Sequence, residues 1–417
     1  MAEGMVTLQQ NYTPAVEFSD NAARRRRGML YAVEAVTGLA STMLIISIFF
    51  YTERKFGWGM RQNLVLAAVQ GLVYVVGSLA ASSISQRFGR RRSLLVLFVL
   101  IGAIAAVGIF RPTPRAVTSL LIAYTLVISL TWPMIESLVS AGIGARELSR
   151  VLGVYNLVWA GIGACAVAIN GTIIEHWPRG VFIIPSVAHA VGLILLWLTP
   201  PGPAPGGAVN GNEDLRAEDA LLEQRRLALW LSRIALPATY IVIFSLSAML
   251  PSLAAVKRLP TSYATLIGSA WLVARWFTFW FLGATHWWHT RPRLLLWAAM
   301  LMLLGFIGTV GPATREGPLA TILAVMIGSQ IVLGMALGLI YSASLYFGMV
   351  LSDGSTEHGG YHEALIGLGQ AVGPLAGAIA QWIWPGSAVA GIVAVSGLVG
   401  LAIAGAGVAA KRARRAG

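Results

Sequence analysis

Residues 62–110 read QNLVLAAVQGLVYVVGSLAASSISQRFGRRRSLLVLFVLIGAIAAVGIF. Two apolar runs, 62–84 and 93–110, flank a short loop carrying Arg87 and Arg90 to Arg92. A hydrocarbon core about 30 Å thick needs about 20 apolar residues per helix, so the stretch reads as a membrane hairpin with a basic turn. Lysine and arginine collect on the cytoplasmic side of such turns, which places this loop inside and orients the rest of the chain.

Outward from this hairpin the same pattern predicts twelve spans, at 29–51, 62–84, 93–110, 116–141, 150–172, 180–199, 227–250, 261–285, 293–311, 317–349, 361–383 and 386–409. Of 417 residues 57% are hydrophobic and only 11% charged, and a soluble domain cannot hide that much apolar surface. Mean hydropathy is +0.72. The formal charge of +13 is spread in clusters between apolar runs instead of one patch, which argues against nucleic acid as a partner. With both termini inside, 20 basic residues fall on the inner side, 9 on the outer side and Arg275 within a span, so the positive-inside rule selects that orientation. The apolar segment after Arg24–Arg27 is too long for a signal core. The expected location is therefore a bacterial-type inner membrane, with multiple passes and both termini cytoplasmic.

The middle of the chain breaks at Pro200, Pro201, Pro203 and Pro205 with Gly202, Gly206 and Gly207, followed by the acidic stretch Glu213 to Glu223. The expected organisation is a cytoplasmic tail 1–28, a six-helix bundle 29–199, a cytoplasmic linker 200–226, a second bundle 227–409 and a basic tail 410–417. SSISQRFGRRR (82–92) and GATHWWHTRPR (283–293) occupy corresponding loops at an offset of 201 residues. Duplicated six-helix halves with a substrate site at their interface are a common transporter design. One cysteine, Cys165, excludes an intramolecular disulfide, and the six histidines lack ligand spacing, so no metal is expected. No phosphate-binding loop or catalytic constellation is visible, which argues against an ATP-driven pump or an enzyme and implies no cofactor.

Four ionisable residues interrupt the apolar runs: Glu34, Glu136, Arg275 and Glu363. A charge at a helix centre costs about 2.5–3.5 kcal/mol on insertion scales, so such residues mark substrate or ion paths. Arg275 has Trp271 four residues before it and Phe279 four after, on one helix face and in position for cation–π contact. It can bind an anionic substrate group, switch between carboxylate partners, or sit in a fixed ion pair with Glu363. Glu136 follows Pro133, whose kink can turn it toward a cavity. Alternating exposure would let a carboxylate there take and release a proton. Glu34 lies about two turns into span 1, and Glu363, preceded by His362, either caps span 11 through the helix dipole or serves coupling. Tyr124, Trp132, Gln330 and Tyr341 suit an organic solute better than a bare ion, or serve packing. Trp287 and Trp288 suit the interfacial belt.

The 6+6 layout, the central linker and the loop Gln86-Arg87-Phe88-Gly89-Arg90-Arg91-Arg92 resemble the major facilitator superfamily, whose signature there is D-R-x-G-R-R. Gln86 stands at the family's aspartate and Ser82 at its leading glycine. Span 5 carries Gly161-Ile162-Gly163-Ala164-Cys165-Ala166 where antiporters of the family have G-P-x-x-G. That pattern occurs instead in span 11, as Gly373-Pro374-Leu375-Ala376-Gly377. The resemblance implies an all-α membrane protein, with spans 1, 4, 7 and 10 around a cavity, spans 2, 5, 8 and 11 between the halves, and spans 3, 6, 9 and 12 facing lipid. It also implies an inner gate at Arg87, Gly89, Arg90 and Arg91, bonding Glu147 or helix carboxyl ends. The stripes Gly77/Ala81/Ser85 and Gly369/Gly373/Gly377 would allow close packing in spans 2 and 11.

The expected function is secondary active transport of a small organic solute by alternating access, coupled to protons, by a protein working as a monomer in the bilayer. A lipid or amphiphile translocator, and a receptor or assembly factor retaining the fold, are the alternatives.

Overall fold

The computed structural model describes residues 20–416 apart from 142, 144, 201–214, 286, 292 and 352–355. Among the described residues there is no strand, and twelve helices are long and apolar enough to cross a membrane. They are span 1 (Asn21–Ile46), span 2 (Met60–Phe88), span 3 (Arg90–Phe110), span 4 (Pro114–Ser140), span 5 (Arg150–His176) and span 6 (Gly180–Leu198). The second half comprises span 7 (Leu227–Ser252), span 8 (Thr261–Ala284), span 9 (Leu294–Ala313), span 10 (Leu319–Gly348), span 11 (Gly359–Ile383) and span 12 (Ala388–Val408).

Three boundaries differ from the hydropathy reading, and in each case helix propensity outruns apolarity. The first helix begins at Asp20, so Glu34 is well inside it. Part of the expected linker, 215–226, is the leading stretch of the helix Leu215–Met249, where Ala, Leu, Glu, Gln and Arg dominate. The last helix runs on through the basic tail to Ala416. Residues 1–19 and 201–214, where the rest of the tail and linker were expected, lie outside the described residues.

Spans 1 to 6 pack with one another, as do spans 7 to 12, and the halves meet chiefly along span 2 against span 11 and span 5 against span 8. Spans 3 and 6, and likewise 9 and 12, turn apolar side chains such as Val96, Trp197, Trp297 and Leu401 outward. Glycine permits the seam crossings. A methyl on Gly71 would lie 2.2 Å from the backbone nitrogen of Ala371, and one on Gly171 would lie 2.2 Å from the carbonyl oxygen of Thr261. Of the sequence stripes, Gly377 faces Leu64 of span 2 across the seam, while other members point elsewhere. Gly369 and Gly373 face Pro237 and Ile241 of span 7, and Gly77 faces Ser129 of span 4, so these glycines tighten each half internally.

Three spans are interrupted toward the face of the bundle opposite the chain termini. Span 1 passes into a π-helical turn at Thr42–Ile46 before resuming as Ile48–Phe56. Span 7 ends in the 3₁₀ turn Leu250–Ser252, and span 8 is split at Ser269. The π turn is fixed by tertiary bonding. The Ser47 hydroxyl donates toward the Thr42 and Met43 carbonyls and accepts from Asn170 Nδ2 of span 5 at 2.7 Å. Wide turns of this kind appear mostly as single-turn bulges, frequently at functional sites.

Candidate functional site at the interface of the two halves

The four charged span residues lie in one buried region on the seam. Glu34 is 0% exposed, Glu136 1%, Arg275 2% and Glu363 3%. Glu136 is four residues before Ser140 and Glu363 four residues after Gly359, each about 6 Å of helical rise from the end of its span on the side of the chain termini. Because spans 4 and 11 cross at those ends, the two carboxyl groups face each other across the seam with oxygens within 4.8 Å. Gly359 makes the approach possible, since a methyl there would meet Pro133 at 3.3 Å and Glu136 Oε2 at 3.4 Å. The Tyr74 hydroxyl of span 2 donates to Glu363 Oε2. Glu363 is therefore tied to the opposite half twice and does not act as a helix cap.

His362 adds a third donor atom, so that Glu136, His362 and Glu363 offer ligand atoms within 4.8 Å of one another. This is a grouping that residue spacing does not reveal, because its members come from both halves. His362 also meets the Ser344 hydroxyl at 3.1 Å and stacks edgewise near Tyr341. Glu34 approaches the cluster from span 1. Its two oxygens have no partner that meets hydrogen-bond geometry, although the Tyr155 hydroxyl faces them closely enough to act on the carboxylate.

Arg275 projects into a cup of three rings. Its Cζ lies 4.7 Å from the Trp159 ring, 4.8 Å from Tyr341 and 5.2 Å from Phe279. The ring centroids are 5.5 to 5.7 Å apart, so the guanidinium carbon caps a three-ring pyramid. Trp271, expected as the second flanking ring, takes no part in it. The ring that replaces it, Trp159, comes from span 5 across the seam. Among the described residues no carboxylate pairs with Arg275, so the fixed ion pair with Glu363 is absent. The guanidinium lies near the Tyr240 hydroxyl, and its Nε and Nη2 are buried without a partner.

The remaining predicted residues scatter. Gln330 is fully buried, with neither end of its amide bonded. Tyr124 turns away from the seam and bonds His189 Nε2 of span 6 at 2.8 Å. Trp132 is half-buried on span 4. Trp287 is 40% exposed, but Trp288 is buried, donating to the Leu282 and Thr285 carbonyls, and so leaves the interfacial belt. In the basic loop Gly89 adopts φ +82°, where a side chain is disfavoured, and sets the turn from span 2 to span 3. Arg91 donates to the Trp197 carbonyl at the end of span 6 at 2.6 Å, and Arg87 lies over Phe88. Glu147 pairs with Arg27 at 2.9 Å instead of with the loop. Gln86 bonds Ser82 one turn back on its own helix. Among the described residues Arg87, Arg90 and Arg91 make no hydrogen bond or ion pair to the carboxyl-terminal half, so the loop's contacts brace one half.

Sequence reading missed Tyr74, Tyr155, Trp159 and Tyr240, and it named His362 without giving it a role. Each is an ordinary residue within an apolar run, and only the crossing of spans brings it to the charges.

Twelve helices in two halves, closed around buried charges at the seam, define a membrane transporter. The chain belongs to the Major Facilitator Superfamily, whose profile matches residues 30–358. No curated protein sequence matches it. In shape it is similar to a crystal structure of a point mutant of the nucleoside transporter NupG, with a TM-score of 0.65 and 12% identity over 94% of this chain and 99% of that one. Another crystal structure of NupG aligns with a TM-score of 0.60 and 12% identity over 94% and 98% of the two chains. At that identity the likeness speaks for the fold.

Proposed function

We propose that the protein is a secondary active transporter that carries a small organic solute by alternating access and is driven by protons. The carrying observation is the contact between Glu136 and Glu363, one carboxyl group from each half. Two carboxylates that close cannot both ionise, so the pair holds together with one proton between them. Tyr74 adds a donor to the same group. Separating spans 4 and 11 at their inner ends breaks the pair and frees the proton on that side. Loss of the proton in turn favours separation by like-charge repulsion. Glu34, on span 1, is the third acid of the same region.

We further infer that both termini face the cytoplasm of a bacterial-type inner membrane and that a single chain completes the site, since both halves of it come from one chain. The aromatic cup and the buried amide of Gln330 suit an organic solute with a planar part. Nucleosides, carried by the structurally similar NupG, are one such class. An apolar groove of about 450 Å³ lined by Leu95, Val99, Leu193 and Trp197 lies between spans 3 and 6, away from the charges.

The test uses proteoliposomes with an entrapped pH indicator and a panel of organic anions, sugars and nucleosides. One or more solutes should drive proton movement in the wild-type protein. Glu136→Gln and Glu363→Gln should abolish proton-driven accumulation and leave solute exchange intact. Full pH-driven accumulation in both variants overturns the coupling assignment.

A further inference from the structure

Resting on that transport reading, we propose that the solute class is a planar organic molecule bearing a single carboxylate, held by the Nε–Nη2 edge of Arg275. Three observations carry it. The first is the geometry of the free donors. Nε–H and Nη2–H point in parallel from one side of the guanidinium, and these two nitrogens are the ones left buried and unpartnered. The side-on fork matches the two oxygens of a carboxylate, and charge-assisted bidentate pairs of this kind are about twice as strong as neutral hydrogen bonds.

The second is charge. A guanidinium 2% exposed has no carboxylate within ion-pair range, and a buried charge is costly unless it is paired. The nearby acids are committed elsewhere, Glu363 to Tyr74 and Glu136. A monoanion supplies the missing countercharge. A dianion such as a phosphate monoester brings a second negative charge into a region that already holds Glu34, Glu136 and Glu363. A neutral nucleobase edge can place two acceptors on the same fork, but it leaves the charge uncompensated.

The third is the cup. Trp159, Phe279 and Tyr341 gather about the guanidinium, so a ligand that takes its Nε–Nη2 edge as the halves part meets aromatic surface suited to a planar body. Trp159 belongs to the amino-terminal half and the other two rings to the carboxyl-terminal half, so the cup exists only when the halves are closed. One carboxylate travelling with the one proton of the Glu136–Glu363 pair makes a neutral cargo. Transport is then a symport that responds to a pH gradient and not to membrane potential.

The experiment uses the full-length purified protein in nanodiscs, with benzoate, nicotinate and 4-hydroxybenzoate as probes, and benzamide, benzyl phosphate and inosine as comparators. At least one carboxylate should bind, raising the melting temperature, and should bind at least tenfold more tightly than each comparator. Arg275→Lys, which keeps the charge and loses the fork, should weaken that binding at least tenfold while eluting as a monodisperse peak. Arg275→Met serves as a second variant should the lysine disturb folding. In proteoliposomes, uptake of the bound carboxylate should follow a pH gradient and stay unchanged when a potassium diffusion potential is imposed. Binding by none of the three carboxylates, tighter binding of inosine or benzyl phosphate, or undiminished binding in both Arg275 variants overturns the substrate class. Those outcomes leave proton-coupled transport standing, because that reading is tested by the two glutamine variants and by other solutes.

Discussion

The two ends of the seam between the halves are built from different chemistry. At the end away from the chain termini, the outer end on the proposed orientation, spans 5 and 8 are joined by hydrogen bonds of ordinary kind. The Gly171 amide donates to Thr265 Oγ1 at 3.1 Å, the Thr261 amide to Glu175 Oε1 at 2.6 Å, and Thr265 Oγ1 to the Ala168 carbonyl at 3.3 Å. At the inner end spans 2 and 4 meet span 11 through Tyr74, Glu136 and Glu363, with Gly360 against the Ser78 carbonyl and Gly367 against Val75. A typical hydrogen bond contributes about 0.5–1.5 kcal/mol net, so the outer end opens against a modest cost that solvent largely replaces. The inner end is different in kind, because its central contact attracts or repels according to whether a proton is present. On the proposed orientation, acidity closes the cytoplasmic side and leaves the outer side indifferent.

The largest effect expected comes from the feature the two ends share, close backbone approach. Gly71→Leu and Gly171→Leu should each remove most of the folded, monodisperse protein, because even a methyl at either site collides with backbone of the other half. Overpacking typically costs about 1–3 kcal/mol and more where backbone cannot yield. Gly400→Leu, with nothing within 4 Å of its added Cβ, should behave as wild type in the same size-exclusion assay. Unequal losses at Gly71 and Gly171 would mean that one contact, span 2 with span 11 or span 5 with span 8, holds the halves together more than the other.

Next in size is the response to pH. With Cys165 replaced by serine and a cysteine placed at Ser85, labelling from the inner side should rise as pH rises, since deprotonation splits the acid pair. Glu363→Gln should make labelling independent of pH, and Glu175→Gln should leave its pH dependence unchanged. A pH response lost in Glu175→Gln would erase the distinction between the ends. Tyr74→Phe should be milder. It removes one hydrogen bond to a charged group, worth about 1.5–3 kcal/mol of inner closure, read as greater labelling at every pH. The smallest effect belongs to Arg27→Ala. Its pair with Glu147 is 22% and 57% exposed and lies within one half, so a change of about 0–1 kcal/mol in stability and none in pH response is expected.

Much of the fold was legible because a bilayer imposes one requirement, an apolar run of sufficient length, that composition answers directly. What escaped was whatever depends on a neighbour. The π turn in span 1 is held by Asn170 from span 5, and nothing in TMLII announces it. Glu34, Glu136, Arg275 and Glu363 stood out because charge in lipid is expensive, whereas Tyr74 and Tyr155 passed as ordinary residues of apolar runs. Counting four residues either way from Arg275 put Trp271 and Phe279 on equal terms, whereas the rings that join Phe279 at the guanidinium come from spans 5 and 10. Stripes of glycine in spans 2 and 11 showed that something packs closely there, but the period does not say on which neighbour.

The bond from Tyr74 to Glu363 joins residues 289 positions apart. At about 5–20 residues per second a ribosome needs roughly 15 to 60 seconds to travel that distance. Through that interval the amino-terminal half sits in the bilayer with its seam uncovered and Glu136 without its mate. Along most of its length that seam is small and apolar, with Gly71, Gly161 and Gly171 among its residues, so lipid tails can cover it until span 11 is made. The order of synthesis thus demands that a surface destined to be the heart of the protein first serve as its exterior.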